Sequence, residues 1–291
     1  MSETAPPLIL IISLAESCER RDYLTSQLHD LGIAYHIIDA VDGRAFDVTN
    51  HPNYDRRKRL NYFGKDLLGA ELGCLLSHKK AMEYIVDHHL PAAMIFEDDT
   101  VIENGPEFLK LLAVLPNPVS DEGSKPFPRP DLVRLIGKKK IYQSPYKILS
   151  QLTPHTQLAR TQGIPGSANA YFLSNRGAQK LLPFLSKPYL PVDILMGHSW
   201  LTDVDNLITI PSPVHDRYWN HSYIGNDRFS SSLSPTGQIP QGQIPQNHAP
   251  KAGKNHRSLI PSLHKIYFKI TTAIFKRLNF HGRNWRDRRI E

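Results

Sequence analysis

The chain predicts an α/β domain built on a mostly parallel sheet, and three observations carry that expectation. Two unbroken apolar runs, Leu8-Ile9-Leu10-Ile11-Ile12 and Ala92-Ala93-Met94-Ile95-Phe96, have the length and composition of strands covered on both faces. The segments between them repeat their apolar residues at helical spacing. Strand and helix signals then alternate along most of the chain, the order that builds a parallel sheet with helices on its faces.

Taken in order, Leu8–Ile12 is the first strand. The run from Leu8 to Leu14 is short for a signal core, and no basic region precedes it, so it reads as a strand and not a signal peptide. Ser17 is placed as an N-cap, Leu24, Leu28 and Leu31 share one helical face, and Gly32 follows as a C-cap. Residues 34–38 form a second strand running into Asp39-Ala40-Val41-Asp42-Gly43. Residues 44–68, polar and basic with Arg56-Arg57-Lys58-Arg59, read as a long loop. A helix is expected from about Ala70 to Asp87, then the acidic strand, a helix over 107–115, a proline-rich excursion to Pro130 and a strand over 132–136.

At 291 residues, with 40% hydrophobic and 22% charged, the chain is long enough to bury a sizeable core. Cys18 and Cys74 are the only cysteines, so no disulfide framework is implied and a reducing compartment, the cytoplasm, is expected. No run approaches the eighteen or so apolar residues of a spanning helix. The net charge of +7 is local: residues 251–291 carry eleven Lys or Arg against Asp287 and Glu291, which leaves the preceding 250 at −2. That distribution excludes a nucleic-acid-binding body and gives the tail its own electrostatic role.

The second apolar run ends in Glu97-Asp98-Asp99. Three adjacent carboxylates raise one another's pKa and call for a positive partner, and a hard divalent ion with oxygen ligands is the natural one. In an extended segment Glu97 and Asp99 point one way and Asp98 the other. Ligands of such sheets bind beyond the carboxyl ends of the strands, where these acids fall.

Ile12-Ser13-Leu14 with Arg20-Arg21, Asp39 to Gly43, Leu72-Gly73-Cys74-Leu75-Leu76-Ser77-His78, the acidic strand end, Gly166 to Ser174 with Ala178 to Leu182, and Pro191-Val192-Asp193 together resemble glycosyltransferase family 25, the lipopolysaccharide and lipooligosaccharide core transferases. The resemblance covers roughly residues 8–233. It implies a GT-A-like fold with a Rossmann-like half, and metal-dependent, inverting transfer of a hexose, often galactose, from a UDP-sugar to a lipid-linked oligosaccharide.

Carried onto this chain, the resemblance makes Asp99 a direct ligand of Mn²⁺ or Mg²⁺, with Glu97 or Asp98 meeting the ribose or the metal's waters. The ion would neutralise the leaving diphosphate. Asp193 becomes the general base, with a helix N-cap as its structural alternative. Ser13, Arg20, Asp39 and Asp42 lie where such folds hold the nucleotide, and His78 is a candidate for the same pocket. His215 and His221 are alternative third metal ligands. The rival readings are a non-catalytic sugar-binding or adhesion module and a metal-dependent nucleotidyltransferase; the intact acids oppose the first, and the lack of a glycine-rich phosphate loop after the first strand opposes the second.

Residues 1–229 are expected to form the catalytic domain. Residues 230–258, rich in Ser, Pro, Gln and Asn, read as a flexible linker. In 259–291, Leu263, Ile266, Tyr267, Ile270, Ile274 and Leu278 share one side of a helix and Lys265, Lys269 and Lys276 the other. That pattern suits an anionic bilayer surface, placing the protein peripherally on the inner face of the cytoplasmic membrane. Packing of the same helix onto the domain is the alternative.

Overall fold

The computed structural model describes residues 6–117, 129–135, 145–217 and 260–280. The element order is β1 (Leu8–Ser13), α1 (Cys18–Asp30), β2 (Tyr35–Asp39), α2 (Arg56–Phe63), α3 (Gly69–Asp87), β3 (Ala92–Glu97), β4 (Thr100–Ile102), α4 (Gly105–Val114), β5 (Leu132–Arg134), β6 (Tyr146–Gln151), β7 (Gln157–Thr161), β8 (Ala170–Ser174), α5 (Asn175–Leu185), α6 (Val192–Met196), α7 (Ser199–Thr202), β9 (Leu207–Ile210), β10 (Val214–Asp216) and α8 (Ile260–Phe280). Eight strands form one sheet in the order β2-β1-β3-β8-β5-β9-β7-β6, and β4 pairs with β10 in a separate ribbon.

The expected parallel arrangement holds where β1 lies between β2 and β3. Beyond β3 the sheet is mixed: β8 runs antiparallel to both β3 and β5, β9 is parallel to β5, and β7 and β6 are antiparallel again. Alternation along the central strands splits the core in two. Leu10, Ile12, Ala93 and Ile95 pack against α3, α5 and α6 on one face. Ile9, Ile11, Met94 and Phe96 pack against α1 and α4 on the other.

One expected loop contains a helix. Within 44–68, Asp55 caps α2 by accepting from the Lys58 N–H at 3.0 Å, and Gly64, at φ +69°, ends it in a left-handed turn. The basic run has no apolar period to announce it. It is held instead by Arg59, whose buried guanidinium donates to the carbonyls of Lys65 (3.0 Å) and Tyr189 (3.4 Å).

Helix α8 packs onto α2 by a face that the apolar spacing does not mark. Phe268 meets Phe63, Tyr62 and His198 with ring centroids 5.2–5.5 Å apart, and Phe275 stacks on Trp200 at 5.8 Å. The expected apolar stripe lies away from the domain: Leu263, Ile266, Tyr267, Ile270 and Ile274 are each 50–66% exposed. Lys265 and Lys269 are exposed beside it, whereas Lys276 is half-buried and its pKa is lowered by that burial. Among the described residues no helix is long and apolar enough to cross a membrane. The expected linker, 230–258, lies outside the described residues.

Candidate functional site

Register brings three chain-distant residues to one sheet edge. Ser13 at the end of β1 pairs with Asp39 at the end of β2, and Ile12 pairs with Glu97 at the end of β3. The loop after β2 closes over this edge by a close approach of three glycines. A Cβ on Gly43 would sit 2.1 Å from the Gly69 carbonyl oxygen, and one on Gly73 would sit 2.6 Å from the Gly43 nitrogen. Ser77 completes the clasp, accepting from the Val41 N–H at 2.8 Å and donating to the Gly73 carbonyl at 2.7 Å. Between loop and sheet edge lies a pocket whose walls include Ser13, Arg20, Asp42, His78 and the three acids.

The expected alternation of Glu97, Asp98 and Asp99 stops at Glu97, because β3 ends there and the next two residues turn. Each acid consequently has a different environment. Glu97 accepts at 3.1 Å from His78 Nε2, with Cys74 Sγ 3.8 Å away. Asp98 turns back under β1, where its Oδ2 accepts from Ser13 Oγ at 2.9 Å and its Oδ1 lies 3.5 Å from Arg20 Nη1. Burial raises the pKa of Asp98 against the pull of Ser13 and Arg20. Asp99 is driven furthest: burial, with the charges of Glu97, Asp98 and Asp216 alongside, pushes it up to about 8, and its Oδ1 is buried without a hydrogen-bond partner.

Asp216 was missed by sequence reasoning, although its neighbour His215 was singled out. In β10, Asp216 pairs with Thr100 and His215 with Val101, so their side chains leave opposite faces of the ribbon. Asp216 is the one that acts on Asp99. The His215 ring lies 3.6 Å from Glu103, and the structure does not bring it to the acids. His221 lies outside the described residues.

Asp42 lines the pocket, and Arg44 holds its carboxylate at about 2 through side-chain and backbone hydrogen bonds. Asp39 sits at the same edge but is exposed, and its carbonyl accepts from Lys80 Nζ at 2.6 Å. Asp193 stands apart from the pocket, in the first turn of α6, where it accepts from the Ser167 N–H at 3.3 Å. The stretch it holds continues to Asn169, whose carbonyl accepts from the Glu97 N–H at 2.7 Å, so three residues join Asp193 to the acidic strand end. Arg134, fully buried, pins this stretch by donating to the carbonyls of Pro165, Ser167 and Asp193; burial lowers its pKa to about 10.

The chemistry of this donor set fits a divalent cation. The charges of Glu97, Asp98 and Asp216 all act to raise Asp99, and Arg20 opposes them. A buried, unpartnered carboxylate oxygen is what a hard metal ion satisfies.

A profile of glycosyltransferase family 25 (LPS biosynthesis protein) matches residues 7–196. Similar proteins include a probable inactive glycosyltransferase 25 family member 3 from Rattus norvegicus, 31% identical over 71% of this chain and 38% of its own length. Procollagen galactosyltransferase 1 from Danio rerio is 31% identical over 64% of this chain and 30% of its own length. Procollagen galactosyltransferase 2 from Homo sapiens is 27% identical over 64% and 29%. The chain thus spans about a third of the length of the curated relatives it matches.

Proposed function

Because the chain belongs to glycosyltransferase family 25, we propose that it is an active, GT-A-like hexosyltransferase using a UDP-sugar, UDP-galactose first, with Mn²⁺ or Mg²⁺. The observation that carries this reading is the buried, unpartnered Asp99 oxygen among four carboxylates at the sheet edge where α/β folds bind ligands. Asp99 and Asp216 would hold the ion, with Glu97 nearby. The ion supplies neutralisation of the charge that develops on the leaving diphosphate.

The chain's own residues bind and orient around that point. Ser13 and Arg20 hold the Asp98 carboxylate, so the middle acid shapes the pocket floor. The clasped 39–43 loop offers Ala40 and Val41 as an apolar wall and Asp42 as an ionised rim for a nucleoside. Asp193 is the base that takes the acceptor hydroxyl proton in an inverting displacement. Its support is the short Ser167–Asn169 bridge to Glu97.

The acceptor is a lipid-linked core oligosaccharide, in keeping with the family's description. The outward stripe of α8, flanked by Lys265 and Lys269, supports a peripheral position on the anionic inner face of the cytoplasmic membrane. A screen of UDP-hexoses for divalent-dependent UDP release tests the reading. Release with one sugar and none after chelation supports it; donor binding without turnover would align the chain with the relatives named inactive.

A further inference from the structure

The wall of the pocket behind the acidic turn holds a second constellation with different chemistry. Cys74 and His78 are four residues apart on α3 and so share a helical face, and Glu97 reaches them from the end of β3. His78 Nε2 lies 3.1 Å and Cys74 Sγ 3.8 Å from Glu97 Oε1. One ligand atom from each of the three residues falls within 4.8 Å of the others. We propose that Cys74 Sγ, His78 Nε2 and a Glu97 carboxylate oxygen form a three-ligand site for a borderline-soft divalent cation of the Zn²⁺ class, its fourth position open to the pocket.

Bond lengths of about 2.0 Å to nitrogen and oxygen and about 2.3 Å to sulfur place tetrahedral ligand atoms roughly 3.3–3.6 Å apart. The two separations found here bracket that range, so small side-chain movements suffice. His78 also carries the outer support of a ligating imidazole: its Nδ1 is 2.9 Å from the buried hydroxyl of Tyr171. Thiolate and imidazole select Zn²⁺ over Mn²⁺ or Mg²⁺, which the all-oxygen pair Asp99 and Asp216 suits instead.

Protons balance simply. Cys74 loses its thiol proton to solvent. The His78 proton that faces Glu97 is exchanged for one on Nδ1, where the Tyr171 oxygen accepts it, so the ring stays neutral. One proton is released per ion.

The site stands whether or not the chain transfers a sugar, because its test needs no nucleotide. Co²⁺ is titrated into the full chain, following thiolate-to-cobalt charge-transfer absorption and proton release, and Zn²⁺ is then used to displace it. The expected result is a thiolate band that saturates at one equivalent of Co²⁺, with proton release that follows the band. Cys74→Ser should remove the band and weaken Zn²⁺ by at least about 100-fold, the upper end of what outer supports cost. Glu97→Gln should keep a band but weaken Zn²⁺ comparably. Cys18→Ser, removing the exposed thiol, should leave the titration unchanged. A wild-type titration without a thiolate band, or a folded Cys74→Ser variant that binds Zn²⁺ as tightly as wild type, overturns the proposal.

Discussion

Asp98 and Ser13, 85 residues apart in sequence, meet through a 2.9 Å hydrogen bond beneath the pocket. That bond ties the end of β3 to the end of β1 and sends the middle carboxylate away from its neighbours. Ser13→Ala leaves a buried carboxylate short of a donor, which costs about 1–3 kcal/mol. Denaturant unfolding should show a lower midpoint with an unchanged slope; a midpoint equal to wild type would mean the bond does not hold the turn.

Asp99→Ala removes the carboxylate proposed to hold the ion together with its own burial cost. Transfer should fall by at least about 100-fold, the scale of a lost electrostatic contribution of several kcal/mol, while the fold persists. Circular dichroism beside steady-state rates separates the two effects. Full activity in this variant would remove Asp99 from the metal site.

Asp193→Asn keeps a side chain of the same shape that still accepts from the Ser167 N–H. Turnover should drop by about 100- to 10,000-fold as general-base catalysis is lost, with donor affinity by calorimetry unchanged. Loss of donor binding instead would make Asp193 a positioning residue for the 165–169 stretch.

His198 gives the molecule a pH dependence. Burial lowers its pKa to about 4 from 6.5, and its ring packs on Phe268 of α8. Below pH 6.5 the unfolded chain takes up the proton and the folded one does not. Stability is therefore full above pH 6.5 and falls as pH drops toward 4, by about 2 kcal/mol at pH 5 from this group. Thermal unfolding of wild type should show that loss between pH 7 and 5, and His198→Leu should show a shallower one.

The two faces of α8 make separable predictions. Ile266→Asn with Ile270→Asn alters only exposed positions, so stability should hold while sedimentation with anionic vesicles is lost. Phe268→Ala should instead lower stability, since its ring contacts α2 and His198. High salt should weaken vesicle binding of wild type, because Lys265 and Lys269 act at an exposed surface. Vesicle binding that survives the double substitution would assign membrane contact elsewhere.

Much of this was legible because burial writes a pattern into sequence. The apolar runs of β1 and β3 and the periodic face of α3 predicted their elements to within a residue or two. Helix α2 was hidden because capping by Asp55 and Gly64, together with one buried arginine, replaces an apolar stripe. The direction of β8 was hidden because an antiparallel strand inside a covered sheet has the same composition as a parallel one. At the site, the acids were visible as a cluster, but their separate orientations follow from the turn after Glu97. The pairing of β10 with β4, which chooses Asp216 over His215, is a long-range register that no local spacing encodes.

The claim at the centre is that the acidic turn holds a divalent ion for a diphosphate donor. Calorimetric titration of UDP into the full chain, with and without Mn²⁺, against the same titration of Asp99→Asn tests it most directly. The account predicts tight binding only for wild type with Mn²⁺, and binding reduced at least about tenfold in the variant or after chelation. UDP binding that is equal in all four titrations would contradict it.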